Sequence, residues 1–180
     1  MSKRTTALCL LTLLALSFPA ACARMSKEEL QNAIDVLDVQ TKWVTKYYQP
    51  WPARLVMVPQ VSFRVRNKTA KPLTYVNFNA IFQFKGEQQN FGDCYLAAIR
   101  GDGVATGATS EAIVLKSNYG VDGRDLANIR ANLEQKPAEV RLFAQSKGSG
   151  MALLGAWDIA LDLDFKEPGP AEIKDAGAKK

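Results

Sequence analysis

The 180-residue sequence contains no histidine. That absence removes the imidazole on which Ser-His-Asp and Cys-His nucleophilic catalysis depend, and with it any histidine-ligated zinc site. Cysteine is nearly as scarce. Cys9, Cys22 and Cys94 form no C-x-x-C pair, and they are too few for a four-cysteine zinc site or a disulfide framework. No metal or cofactor is expected. Charge is not gathered into blocks: 23 Lys and Arg are interspersed with 18 Asp and Glu, giving a formal net charge of +5. Without a basic cluster, neither nucleic acid nor an anionic membrane surface is implied as a partner. There is no internal repeat, and only one long apolar run.

That run opens the chain. In "MSKRTTALCLLTLLALSFPAACAR", Lys3 and Arg4 precede an apolar stretch from Ala7 to Phe18 and then small residues, the layout of an export signal. The stretch is about a dozen residues, against roughly 20 for a bilayer-crossing helix, which favours a processed signal over a permanent span. Two readings compete at its end. "PAAC" resembles the bacterial lipoprotein signal, in which Cys22 would be lipidated and become residue one, although Pro19 stands where an aliphatic residue is usual. Alternatively, Ala21-Cys22-Ala23 is an ordinary A-x-A cleavage site before Arg24. Both place the protein outside the cytoplasm, and the first, anchoring it to a membrane through a lipid on Cys22, is preferred. Cys94 is then a small buried hydrophobe, while an unmodified Cys22 would leave a Cys22–Cys94 disulfide open.

After Cys22 about 158 residues remain, enough for a single core. Ser26 and Glu29 have capping-box spacing, and Leu30, Ile34 and Leu37 recur at helical intervals, so a short helix is expected over Lys27–Asp35. It would form the stalk end, residues 23–36, of an anchored domain. Thereafter the period becomes two. Strands are expected at Val36–Tyr48, at Arg54–Val58 and Gln60–Arg66 with a bend or an edge at Pro59, and over the ten alternating residues Tyr75–Phe84. Others are expected at Phe91–Arg100, Ser110–Lys116, Ala138–Ser146 and Ala156–Phe165. "GDGVATGATS" and "SNYGVDG" read as turns, and "RDLANIRANLEQKP" as a helical insertion ended by Pro137. Residues 167–180 lack a hydrophobic pattern and are expected to be a disordered tail.

About seven strands and one or two short helices describe a mainly β protein. Val61, Phe63 and Val65 alternate with Ser62, Arg64 and Arg66, as Val76, Phe78, Ala80, Phe82 and Phe84 alternate with polar neighbours. Each strand therefore has one core face, and two sheets must pack together to cover both. The expected fold is an antiparallel, immunoglobulin-like β-sandwich over residues 37–166.

From Val61 to Lys116, "VRNKTAKPL", "VNFNAIFQFKGE", "FGDCYLAAI" and "GATSEAIVL" follow one another as strand, polar turn, aromatic strand, Gly turn, strand, and a Gly-Ser/Thr turn into an I-x-L strand. This order resembles the bacterial extracytoplasmic FxLYD domains and the related late-embryogenesis and water-stress domains. "FNAIFQF" stands here in place of their F-x-L-Y-D string. The resemblance implies an immunoglobulin-like sandwich outside the cytoplasm and no catalytic residues.

Several residues invite a functional reading. Asp158, Asp162 and Asp164 in "WDIALDLDF" would share one strand face, a solvated sheet surface or, less readily, a carboxylate site. "GDGVATGATS" lacks the Lys-Ser/Thr of a phosphate loop. Arg100-Gly101-Asp102 matches an adhesion tripeptide, and Asn67-Lys68-Thr69 reads as a side-chain-bonded turn rather than a glycosylation site. The aromatic group Trp43, Tyr47, Tyr48 and Trp51, flanked by Pro50 and Pro52, could close the end of the sandwich or offer a platform to a sugar or an envelope protein. The leading functional expectation is a non-enzymatic, lipid-anchored envelope interaction module. A small-molecule or lipid carrier with a cavity lined by Phe78 and Phe82 is the alternative, and a carboxylate hydrolase is a weaker one.

Overall fold

The computed structural model describes residues 25–166. The export signal, Cys22 and the segment 167–180 lie outside the described residues. The fold is the expected mainly β, antiparallel sandwich of two sheets.

The chain enters through α1 (Lys27–Ala33). Ser26 Oγ accepts from the Glu29 amide at 3.1 Å and Glu29 Oε2 from the Ser26 amide at 2.7 Å, completing the capping box. The helix is no stalk. Leu30 and Ala33 are buried in the same core as the sheets, so α1 belongs to the domain and closes one pole of it. It also ends before Asp35, because Ile34 is already extended and paired with Asn67.

β1 (Ile34–Pro50) and β2 (Ala53–Asn67) form one long hairpin. β2 is unbroken through Pro59, where a bend or an edge was expected, and the ladder explains why. Opposite Pro59, the Trp43 amide points away from β2 and donates to the Asp162 carbonyl at 2.8 Å, so this is a non-hydrogen-bonded pair. The proline nitrogen therefore faces the other edge, at the point where the partner of β2 changes from β5 (Ile113–Lys116) to β6 (Val121–Gly123). No ladder bond is lost there.

The second sheet holds β3 (Val76–Phe84), β4 (Asn90–Ile99), β7 (Ala138–Ser146) and β8 (Ala152–Asp158). Strands β5 beside β2 and β7 beside β3 make the cross-connections of an immunoglobulin-like Greek key. Seven strands carry the sandwich, while β6 and β9 (Leu163–Asp164) have three and two residues. Phe63 and Phe78 meet edge to face between the sheets with centroids 5.3 Å apart, and Phe82 is fully buried beside them. α2 (Leu126–Gln135) starts at Asp125, whose carboxylate accepts from the Asn128 amide, and buries Ile129 and Leu133 as the apolar spacing requires.

The strand expected at Ala156–Phe165 is two pieces. β8 stops at Asp158, and the chain crosses to the first sheet before pairing, in parallel, with β1. Thr41 holds the crossing: its hydroxyl donates to the Asp158 carbonyl and accepts from the Ala160 amide, both at 2.9 Å.

Candidate functional site: an aromatic groove at the hairpin pole

The β1–β2 hairpin ends at the pole opposite α1. A bulge between Thr45 and Tyr47 resets the alternation of β1, and this decides the fate of each aromatic residue in the cluster. Trp43, before the bulge, points inward, is only 1% exposed and stacks on Phe91. It is a core residue and leaves the candidate surface. Tyr48 is half-buried, its ring centroid 5.2 Å from that of Phe165. Tyr47 points outward and is 44% exposed, and Trp51, at the hairpin tip, is 87% exposed. The cluster thus divides into two structural residues and two surface ones.

The fold brings to the surface pair a residue that lies 68 or more positions away in the chain. Tyr119, 68% exposed, sits in the turn between β5 and β6. The buried Ser117 hydroxyl builds that turn by donating to the Tyr119 carbonyl at 2.7 Å and accepting from its amide at 3.1 Å. Gly120 lets the turn lie flat on β2, since a Cβ there would fall 1.9 Å from the Met57 carbonyl oxygen. Nothing in "SNYGVDG" but Ser and Gly signalled this, and no local pattern tells which strand the turn will cover.

Tyr47 and Tyr119 form walls of a groove of about 360 Å³, with Val56 and Gly120 beneath and Lys46, Arg54 and Asp122 around it. Lys46 lies over the Tyr119 ring, 5.6 Å from its centroid, and Arg54 over the Tyr47 ring at 5.9 Å. Arg54 also meets Asp122 at 2.6 Å, and that carboxylate raises the guanidinium pKa through its hydrogen bond first and its charge second. Tyr47 donates to Gln49 Oε1, and Gln49 Nε2 donates to the Trp51 carbonyl at 2.8 Å, so the tip is tied to the groove. The remaining cations are differently placed. Lys46 donates to the Asn118 carbonyl and Lys116 to the Thr45 carbonyl, and among the described residues neither ammonium pairs with a carboxylate.

Other sequence candidates resolve into structural roles. Asp158, Asp162 and Asp164 do not share a strand face, because the chain changes sheets among them. All three are exposed, with Asp158 bound to Lys85 at 2.7 Å and Asp164 to Lys42 at 2.6 Å. The Asp164 hydrogen bond, and then its charge, raise the Lys42 pKa. Among the described residues no group of three or more acidic or cysteine side chains is arranged to hold a metal ion. Arg100, Gly101 and Asp102 lie exposed in the turn after β4. Asn67 is fully buried and its amide is engaged with backbone carbonyls, which makes the sequon a turn. Cys94 is half-buried opposite Ala80 on the inner face of β4. A larger groove, about 600 Å³, lies between the edge strands β4 and β5, but no aromatic residue lines it.

No family profile and no curated protein matches the chain. Among solved structures it is similar to the solution structure of AT1g01470 from Arabidopsis thaliana, with 13% identity over 74% of this chain and 83% of that one and a TM-score of 0.44. It is also similar to the X-ray structure of the structural-genomics target SoR45, with 11% identity, 78% and 97% coverage and a TM-score of 0.41. A third likeness is to a protein from Archaeoglobus fulgidus, with 10% identity, 71% and 99% coverage and a TM-score of 0.32.

Proposed function

We propose that the protein is a non-enzymatic interaction module of the bacterial cell envelope, held to a membrane through Cys22 and engaging its partner at the hairpin pole. The observation that carries this reading is the exposure of Tyr47, Trp51 and Tyr119 toward the hairpin end of the sandwich, Trp51 and Tyr119, at 87% and 68%, being the two most exposed large hydrophobic side chains among the described residues. Large aromatic side chains with polar handles supply contact area at little cost in side-chain freedom, and they are left in water here. The export-like leader and the FxLYD-like order of elements support the compartment.

The two ends of the domain suit opposite tasks. Cys22 precedes Met25 by only three positions, so an anchor there would meet the α1 pole. From that pole β1 climbs for 17 residues, which at ~3.3 Å each carries Trp51 roughly 50 Å away. Attachment at one pole leaves the aromatic groove facing outward. A carrier function finds less support, because Phe78 and Phe82 are fully buried and line neither the groove at the hairpin pole nor the one between β4 and β5.

Co-sedimentation of the purified domain with washed envelope fragments tests this reading. The folded double variant Trp51→Ala/Tyr119→Ala should lose most of its retention. Retention equal to that of the intact protein would remove the hairpin pole from consideration.

A further inference from the structure

Resting on that reading of the hairpin pole, we infer that the groove between Tyr47 and Tyr119 takes a carboxylated sugar chain. Three features of the groove lead there. First, its floor is the face of a sheet, although β6, which supplies Asp122 to its rim, is the last strand on that side. The backbone positions beneath it are already paired, Tyr47 with Val56 and Val56 with Asp122. A peptide lying in the groove would find no free ladder beneath it, so strand addition would have to use the outer side of β6 and not the groove itself. A sugar ring needs no ladder: its C–H face packs on a tyrosine ring, and its hydroxyls meet polar groups at the edge.

Second, the polar groups are of the kind that hydroxyls use. The Arg54–Asp122 pair presents donors and acceptors side by side at one rim, with the carboxylate neutralised by the guanidinium. The Gln49 side chain, bonded to the Tyr47 hydroxyl and the Trp51 carbonyl, adds a further polar group next to the Tyr47 wall.

Third, the charge left over is positive. Lys46 and Lys116 reach the same strip of surface from β1 and β5, each donating to a backbone carbonyl, at Asn118 and Thr45. Each keeps further N–H donors and a full charge without a carboxylate among the described residues. An anionic ligand would meet the Lys46 ammonium at the groove, with Lys116 bonded to the residue next to Lys46 in the chain, whereas a neutral sugar would leave that charge uncompensated. A carboxylate on the sugar, rather than on a side chain, satisfies all three features at once.

Calorimetric titration of the domain with trigalacturonate, a neutral glucose trisaccharide and a short polyglutamate peptide tests the inference. Trigalacturonate should bind, and the neutral sugar should bind about tenfold more weakly. Tyr119→Ala should weaken trigalacturonate binding about tenfold, Tyr119→Phe should preserve most of it, and Lys46→Gln should weaken it and flatten its dependence on salt. Equal binding of the neutral sugar, binding only of polyglutamate, or trigalacturonate binding indifferent to Tyr119→Ala and Lys46→Gln would each overturn the inference. So would no binding of any probe. If envelope fragments still require Trp51 and Tyr119 in that last case, the pole remains the binding site and only the ligand class falls.

Discussion

Asn67 Nδ2 donates to the Val104 carbonyl at 2.9 Å, joining the last residue of β2 to a loop 37 positions away. The same amide nitrogen donates to the Lys71 carbonyl at 2.7 Å, and its oxygen accepts from the Thr69 amide and hydroxyl, both at 2.8 Å. A fully buried side chain thus has both its donors and both its acceptor positions used. Asn67→Asp keeps the shape but turns the donor end into a second acceptor facing two carbonyls. It should cost about 3 kcal/mol in urea unfolding, and Asn67→Ala a similar amount, because buried partners are left unsatisfied. A loss below about 0.5 kcal/mol would mean that the loop, not the side chain, holds this pole together.

The two tryptophans of the hairpin should behave in opposite ways. Trp43→Ala opens a cavity in the core and should destabilise by roughly 3–5 kcal/mol. Trp51→Ala removes only an exposed ring and should stay within about 0.5 kcal/mol of the parent. Denaturant unfolding of both variants checks the contrast. Comparable losses would show the hairpin tip to be structural.

That contrast also marks how far the sequence alone could be read. β7 was legible at both ends and β3 to within one residue, because strict alternation of buried Val140, Leu142 and Ala144, or Val76, Phe78, Ala80 and Phe82, needs only the local chain. The two sheets followed from the same patterns. What escaped depends on neighbours distant in the chain. Pro59 reads as a break until its position between β5 and β6 is known. The "WDIALDLDF" alternation continues across a change of sheet that only Thr41 and β1 enforce. Trp43 and Tyr47 fall on one face by simple alternation, and the bulge after Thr45 that separates their environments leaves no residue signature. One wall of the candidate groove, Tyr47, was visible as part of an aromatic cluster, whereas Tyr119 reaches it only through the pairing of β5 and β6 with β2.

The Lys42–Asp164 pair gives the short strand β9 a pH dependence of definite sign. Lys42 is raised above the ordinary lysine value of 10.5 by its hydrogen bond to Asp164 and by that charge. Its contribution is therefore complete below 10.5 and lost as the pH rises through the higher folded value. Melting temperatures measured through this alkaline range should fall less steeply for Lys42→Met than for the parent. Identical slopes would show that the pair adds nothing to the docking of β9.

Anchoring through Cys22 predicts that cells fed a labelled fatty acid incorporate it into the protein, and that Cys22→Ala abolishes the incorporation. The variant should then appear in the soluble extracytoplasmic fraction. Label retained by Cys22→Ala would refute lipidation at this residue, and an unlabelled parent protein processed before Arg24 would support the A-x-A alternative.

Gly120 is the most direct test of how the groove is built. A methyl group at this position would lie 1.9 Å from the Met57 carbonyl oxygen and 2.8 Å from the Val58 Cα. Both are backbone atoms of a central strand and cannot rotate aside, so the turn holding Tyr119 must lift instead. Lifting it disturbs the Ser117 bonds to the Tyr119 backbone and moves the ring away from Tyr47. Gly120→Ala should therefore cost on the order of 1–3 kcal/mol and weaken binding at the groove although no contacting side chain has changed. Gly150→Ala, whose added methyl meets nothing within 4 Å, serves as the control and should leave both properties near the parent. If Gly120→Ala loses stability yet binds envelope fragments as before, the ligand does not depend on where Tyr119 sits, and Tyr47 with Trp51 must carry the contact.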